Sequence, residues 1–283
     1  MPLAEIEAKG ANMAKKLVCA SEEGQRAMSC LRALPASTIL GEAGDFWAAA
    51  YGTPLLPIDP AKAMDEGHFT AMPIISGFTH DESRAIASGM ELTGHPVTSA
   101  TYPALLQEAF GDRRMEVMQR YPVDRYGQPA LAWAAIYTDR MFVCPQLADL
   151  RQFAKRAPAY AYEFADPEGI GLIPFLPDLP PGAPHSSELP LLFDMSDAPL
   201  DITTGKKIPL SEKKQPLART MLSYWTQFAR TGDPNTKTEP QWLRFDPGAC
   251  ILYVQVLTPN RSDIIGVDAA TEHQCSFWAT FAR

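Results

Sequence analysis

The chain has 283 residues, five cysteines, 26 prolines and a formal charge of −8. Hydrophobic residues at 46% and charged residues at 20% are the ordinary proportions of a globular protein, and the length suffices for a full core. The negative balance disfavours nucleic acid and anionic membranes as partners, and no apolar run reaches the roughly 18 residues of a membrane span.

Residues 1–16 lack a continuous apolar stretch after a basic start and do not read as a signal peptide. Residues 4–17 read instead as an amphipathic helix, and 22–33 as a second, alanine-rich one. Residues 48–65 are broken by prolines and read as loop. The apolar run 72–77 has the pattern of a buried strand. It passes at once into a polar elbow, Thr79-His80-Asp81-Glu82. Residues 101–110 and 115–121 read as short helices, 131–142 and 146–156 as longer ones, the last stopping before Pro158. Residues 159–164 place Tyr160, Tyr162 and Phe164 on one face, the period of a strand.

Residues 166–190 hold seven prolines and three glycines and are expected to form a long loop. His185 lies in it, within Gly182-Ala183-Pro184-His185-Ser186-Ser187-Glu188. Residues 217–230 form a periodic apolar helix through Leu217, Met221, Trp225 and Phe228, stopped by Gly232 and Pro234. A late strand is expected over 251–256 and a terminal helix from 277 to 281. A few strands with many helices between them predict an α/β fold.

An acid after one strand and a histidine in a later loop is the chain order of hydrolases whose serine precedes both. No G-x-S-x-G occurs in the 283 residues. Ser76, Ser83 and Ser88 are the nearest serines, and none lies in a glycine-flanked elbow that exposes a nucleophile. Asp81 competes with Glu82 for the acid role. His80, Asp81 and Glu82 do not form a metal site by sequence, because adjacent residues rarely face one ion and no second group has ligand spacing.

Five motifs in order resemble the type-B carboxylesterase and cholinesterase family. They are the Asp81-Glu82 elbow, Thr138-Asp139-Arg140-Met141-Phe142-Val143-Cys144-Pro145, Tyr160 to Phe164, the His185 loop, and Trp225 to Asn235 followed by Trp242. The resemblance implies an α/β-hydrolase fold, incomplete. Residues 1–283 would be the C-terminal part of a single domain, with the nucleophile elbow and oxyanion-hole glycines upstream of Met1. It implies a small-molecule carboxylic ester as substrate, with neither metal nor organic cofactor. His185 becomes general base and acid and Glu82 its orienter; Glu188 matches a family glutamate that either helps position His185 or holds the following helix, and it reads equally as a helix-start acid near Leu189. It also implies disulfides Cys19–Cys30 and Cys144–Cys275, hence a parent protein that is secreted or periplasmic. Cys250 is left over as a buried free thiol.

Ser83 departs from the family's glycine, and Leu56-Pro57-Ile58-Asp59-Pro60 departs from its P-x-x-D-G. Phe175, Leu176 and Leu179 precede the histidine and could line an acyl or alcohol pocket, but core packing is the stronger reading. The functional expectation is an ester hydrolase whose acid and base lie here and whose serine does not. Two alternatives stand beside it. One is an inactive cholinesterase-like binding or adhesion module, against which the retained Glu82 and His185 weigh. The other is one half of a split esterase completed by an N-terminal half in trans.

Overall fold

The computed structural model describes residues 1–19, 24–42, 44, 49–170, 179–193, 207, 209–260 and 265–281. Phe175, Leu176 and the expected start of the second helix at Glu22 lie outside the described residues. The chain divides into two compact units, Met1–Thr70 and Ala71–Arg283.

In the first unit, α1 (Leu3–Lys16) carries Glu5 in its first turn and Lys15 and Lys16 in its last, the charge order its dipole favours. The Cys19–Cys30 disulfide ties the chain just beyond α1 to α2 (Gln25–Ala33). A short α3 (Ala36–Leu40) follows. Within the stretch expected to be loop lies α4 (Pro60–Glu66). Asp59 caps it by accepting from the Ala61 N–H at 2.9 Å, Pro60 opens it, and Gly67 ends it in the left-handed region. The Asp59-Pro60 start and the Gly67 stop were legible, but the preceding prolines outweighed them.

The second unit is built on four strands in the order β1 (Ile74–Thr79), β2 (Ala159–Phe164), β3 (Tyr253–Leu257) and β4 (Gly266–Asp268). β1, β2 and β3 are parallel, and β4 closes the edge antiparallel to β3. The strand expected over 72–77 is shifted by two residues, because Met72 and Pro73 precede the ladder. Period two in β2 divides the core. Tyr160 and Phe164 pack with α12 (Gln215–Thr231) and Trp242 on one face, through Leu217, Met221 and Tyr224. Ala159 and Ala161 pack on the other with Leu147 and Leu150 of α10 (Cys144–Ala154). Helices on both faces are what an interior parallel strand requires.

Between β1 and β2 run α5 (Arg84–Leu92), α6 (Tyr102–Phe110), α7 (Arg114–Arg120), α8 (Val123–Tyr126) and α9 (Pro129–Tyr137). α9 continues into a π-helical segment, Thr138–Val143, which runs directly into α10. The two longer helices expected there are therefore one interrupted helix. Its extra residue per turn re-aims side chains, as such insertions often do beside functional sites. After β2 come α11 (Leu189–Phe193) and α12, and after β4 come α13 (Ala269–Glu272) and α14 (Cys275–Trp278). The Cys144–Cys275 disulfide joins the start of α10 to α14. Both expected bridges are present, and Cys250 is free but exposed rather than buried. Leu179 is buried, 3% exposed, in the helical core. No helix among the described residues is long and apolar enough to cross a membrane.

Candidate active site

β1 ends in a tight elbow whose three polar residues diverge. Glu82 is buried at 5% exposure, and its Oε1 accepts from the Thr79 N–H at 2.8 Å. The Ser83 N–H donates to Thr138 Oγ1 at 3.0 Å, so the elbow is anchored to the start of the π-helical segment. The other carboxylate oxygen, Glu82 Oε2, accepts from His185 Nδ1 at 2.6 Å. The His185 N–H also donates to the Glu82 carbonyl, at 3.2 Å.

Asp81 turns the other way. Its backbone N–H donates to the Ala183 carbonyl, and its Oδ2 accepts from the Ala183 N–H, both at 2.9 Å. Arg84 pairs with Asp81 at 2.7 Å and donates to the Pro180 carbonyl at 3.0 Å. Asp81 thus clasps the histidine loop to the elbow from both its backbone and its side chain. Gly182 is required here. Its φ of +58° lies in the left-handed region, and a Cβ would collide with Asp81 Oδ2 and the Arg84 guanidinium. Ser186, directly after His185, has φ +68°, an uncommon conformation for a residue with a side chain and one that clusters at working sites. No pattern in the sequence announces it.

His185 keeps 54% of its side chain exposed while Nδ1 is held by Glu82. With Nδ1 donating, Nε2 is the nitrogen left to accept. The hydrogen bond to Glu82 raises the His185 pKa above its ordinary value, with burial opposing and the Glu82 and Glu188 charges assisting. Phe142, from the π-helical segment, sets its ring 5.5 Å from the imidazole. Burial pushes the Glu188 carboxyl up, and the nearby Glu82 charge adds to this. Its Oε2 is buried with no hydrogen-bond partner among the described residues. The floor of the loop is held by a buried ion pair, Lys214 with Asp166 at 2.8 Å, and by Gly169 donating to the Gly182 carbonyl at 2.8 Å.

His80 takes the third direction, toward Glu163, Glu272 and His273. None of these partners was singled out by sequence, because they lie between 80 and 200 residues away and share no spacing.

A buried carboxylate holding one imidazole nitrogen and leaving the other to accept is the arrangement that the acid and base of nucleophilic hydrolases adopt. The family model described as "Carboxylesterase family" matches residues 4–278. Mouse acylcarnitine hydrolase is 26% identical over 83% of this chain and 43% of its own length. Human cocaine esterase is 28% identical over 79% of this chain and 39% of its own length. Human thyroglobulin is 24% identical over 95% of this chain and 10% of its own length. The chain spans less than half the length of the first relatives it matches.

Proposed function

The chain belongs to the carboxylesterase family, and from that premise we propose that it supplies the acid–base half of a serine esterase site and that the nucleophile comes from outside these 283 residues. The fold class follows from the family as well, an α/β-hydrolase with its mixed sheet. The contact between Glu82 Oε2 and His185 Nδ1 at 2.6 Å carries the reading. A serine hydroxyl is a weak nucleophile at its own pKa, so an ester carbonyl is attacked only when a base takes the proton. His185 Nε2 takes it, then returns it to the departing alcohol. Glu82 fixes the tautomer and offsets the imidazolium charge that forms. Glu188 lies close enough for its charge to act on His185 and to favour that imidazolium.

The family match crosses both compact units, which supports treating residues 1–283 as the C-terminal part of one domain. The two disulfides support a parent protein that folds in an oxidising compartment. A relative such as thyroglobulin, whose name states no hydrolysis, keeps the binding-module reading as the alternative. The position and pairing of Glu82 and His185 favour catalysis over it.

The experiment is a hydrolysis assay on a p-nitrophenyl ester. The isolated chain should give background turnover that survives His185→Ala. The same chain supplied with a family N-terminal half containing an intact nucleophile elbow should give serine-reagent-sensitive turnover that His185→Ala abolishes. Robust turnover by the isolated chain, or restored turnover indifferent to His185→Ala, would overturn the proposal.

A further inference from the structure

His80, Glu163 and His273 come from three distant stretches of sequence: the end of β1, the interior of β2 and the turn between α13 and α14. One ring nitrogen or carboxylate oxygen of each lies within 4.8 Å of the other two. Glu272 Oε1 is 3.3 Å from His80 Nε2 but stands outside that mutual cluster. His273 Nε2 stands 3.4 Å from Glu163 Oε1, and His80 Nε2 stands 3.8 Å from the same oxygen. These spacings are long for charge-assisted hydrogen bonds, which settle at about 2.7–2.9 Å. The His273–Glu163 spacing suits shared ligation, since two donors each about 2.0–2.1 Å from one tetrahedral ion stand roughly 3.3 Å apart, and the His80 nitrogen must draw inward to join them.

The outward-facing nitrogens behave differently. His273 Nδ1 donates to Asp139 Oδ1 at 2.6 Å. Asp139 is itself fixed by the Tyr121 hydroxyl at 2.6 Å, and that hydroxyl accepts from Trp278 Nε1 at 2.6 Å. His80 Nδ1 faces Asp81 Oδ1 at 3.3 Å. His273 therefore turns one nitrogen inward and gives the other to a carboxylate, the habit of metal-ligating histidines, whereas the His80 contact is too long to count as one. Glu163 is only 1% exposed, and its Oε2 is buried without a hydrogen-bond partner among the described residues. A carboxylate so deeply buried needs compensation from a positive charge, which the two imidazoles supply when protonated and a bound cation supplies when they are neutral.

We propose that His80, Glu163 and His273 bind one divalent cation of the zinc class. Two imidazoles and one carboxylate, with no thiolate, suit that ion. The half-exposed side chains of His80 and Glu272 give the ion a route from solvent. The site ties the elbow after β1 to β2 and to the C-terminal helices, two residues from Glu82 on one side and two from the bridged Cys275 on the other. The proposal does not depend on the esterase reading.

The test uses the full 283-residue chain with no histidine tag and with Cys250→Ser, so that the exposed thiol cannot bind metal. After dialysis against a chelator, the protein is titrated with zinc sulfate near neutral pH by calorimetry, and the bound ion is read by zinc-edge X-ray absorption. One zinc per chain is expected, with two imidazole nitrogens among its ligands. His80→Ala, at the exposed end, should weaken binding by more than the roughly 10–100-fold seen when a residue that only orients a ligand is lost. Glu163→Gln, nearly isosteric, should do the same while circular dichroism reports an unchanged fold. His95→Ala should leave binding unchanged. No stoichiometric zinc, or zinc bound equally well by His80→Ala and Glu163→Gln, would overturn the proposal and leave an ion-paired network in its place.

Discussion

In the proposed site, Glu82 and His185 divide the work of one proton between them. Glu82 lies buried and accepts two hydrogen bonds, whereas His185 is half exposed and makes one through its ring. Replacing Glu82 by glutamine keeps the shape but offers Nδ1 a donor as readily as an acceptor, so the wrong tautomer gains ground. In the completed enzyme Glu82→Gln should lower kcat by about 10⁴-fold, measured by steady-state ester hydrolysis. The raised pKa of His185 also fixes a sign for stability. A group whose pKa is raised by folding stabilises the fold fully below its unfolded value, about 6.5, and loses that contribution as pH rises through the folded value. The effect is small, because an imidazole this exposed is screened by solvent. Thermal melts of the chain and its His185→Gln variant should therefore differ more at about pH 6 than at about pH 9. A gap that widens with pH would contradict the assigned cause. Gly182→Ala should destabilise the loop and lower kcat together, since the backbone conformation and the Asp81 clasp both exclude a side chain.

The pairing of β1 with β2 places the elbow. Gly77 sits opposite Tyr162, whose ring lies so close that a Cβ at 77 would enter it. Tyr162 is packed in turn against Trp225 and Trp242, at 5.2 and 6.4 Å between ring centroids, and has little room to yield. Gly77→Ala should cost about 1–3 kcal/mol or more in denaturant unfolding, the usual range for overpacking. A neutral result would mean that the aromatic stack is looser than its geometry. β2 and the long amphipathic helix were legible because a period of two or 3.6 repeats within each: β2 was read at its observed bounds, and α12 to within two residues. β1 was legible from its continuous apolar run, whereas the three-residue β4 is too short to show a period. The π-helical turn was not legible. Its motif, Thr138 to Cys144, was recognised by resemblance, but one extra residue per turn leaves no periodic trace over six residues. α5, immediately after Glu82, was missed because its small residues, Ala85, Ala87 and Ser88, give the buried face no strong apolar stripe. At the site, resemblance supplied Glu82 and His185, whereas the Asp81 clasp and the partners of His80 depend on which distant segments the topology brings together.

Across the whole molecule, long-range ties converge on the ground that holds the pair. The Cys144–Cys275 disulfide spans a sequence separation of 131 residues and fixes the start of α10 to the C-terminal helices. In the loop-entropy account a bridge of that span stabilises by about 5 kcal/mol, against about 3 for Cys19–Cys30. The Cys144→Ser, Cys275→Ser variant should accordingly lose much more stability than the Cys19→Ser, Cys30→Ser variant in denaturant melts, and equal losses would contradict that ordering. The clasp, the floor ion pair and this bridge all lie within residues 71–283. The Glu82–His185 pair is therefore assembled by this chain itself, whatever completes the site. Nuclear magnetic resonance titration of the His185 ring in the isolated chain tests that most directly. His185 should titrate above about 6.5 and fall toward it in Glu82→Gln. A midpoint at the ordinary value in both proteins would contradict the account.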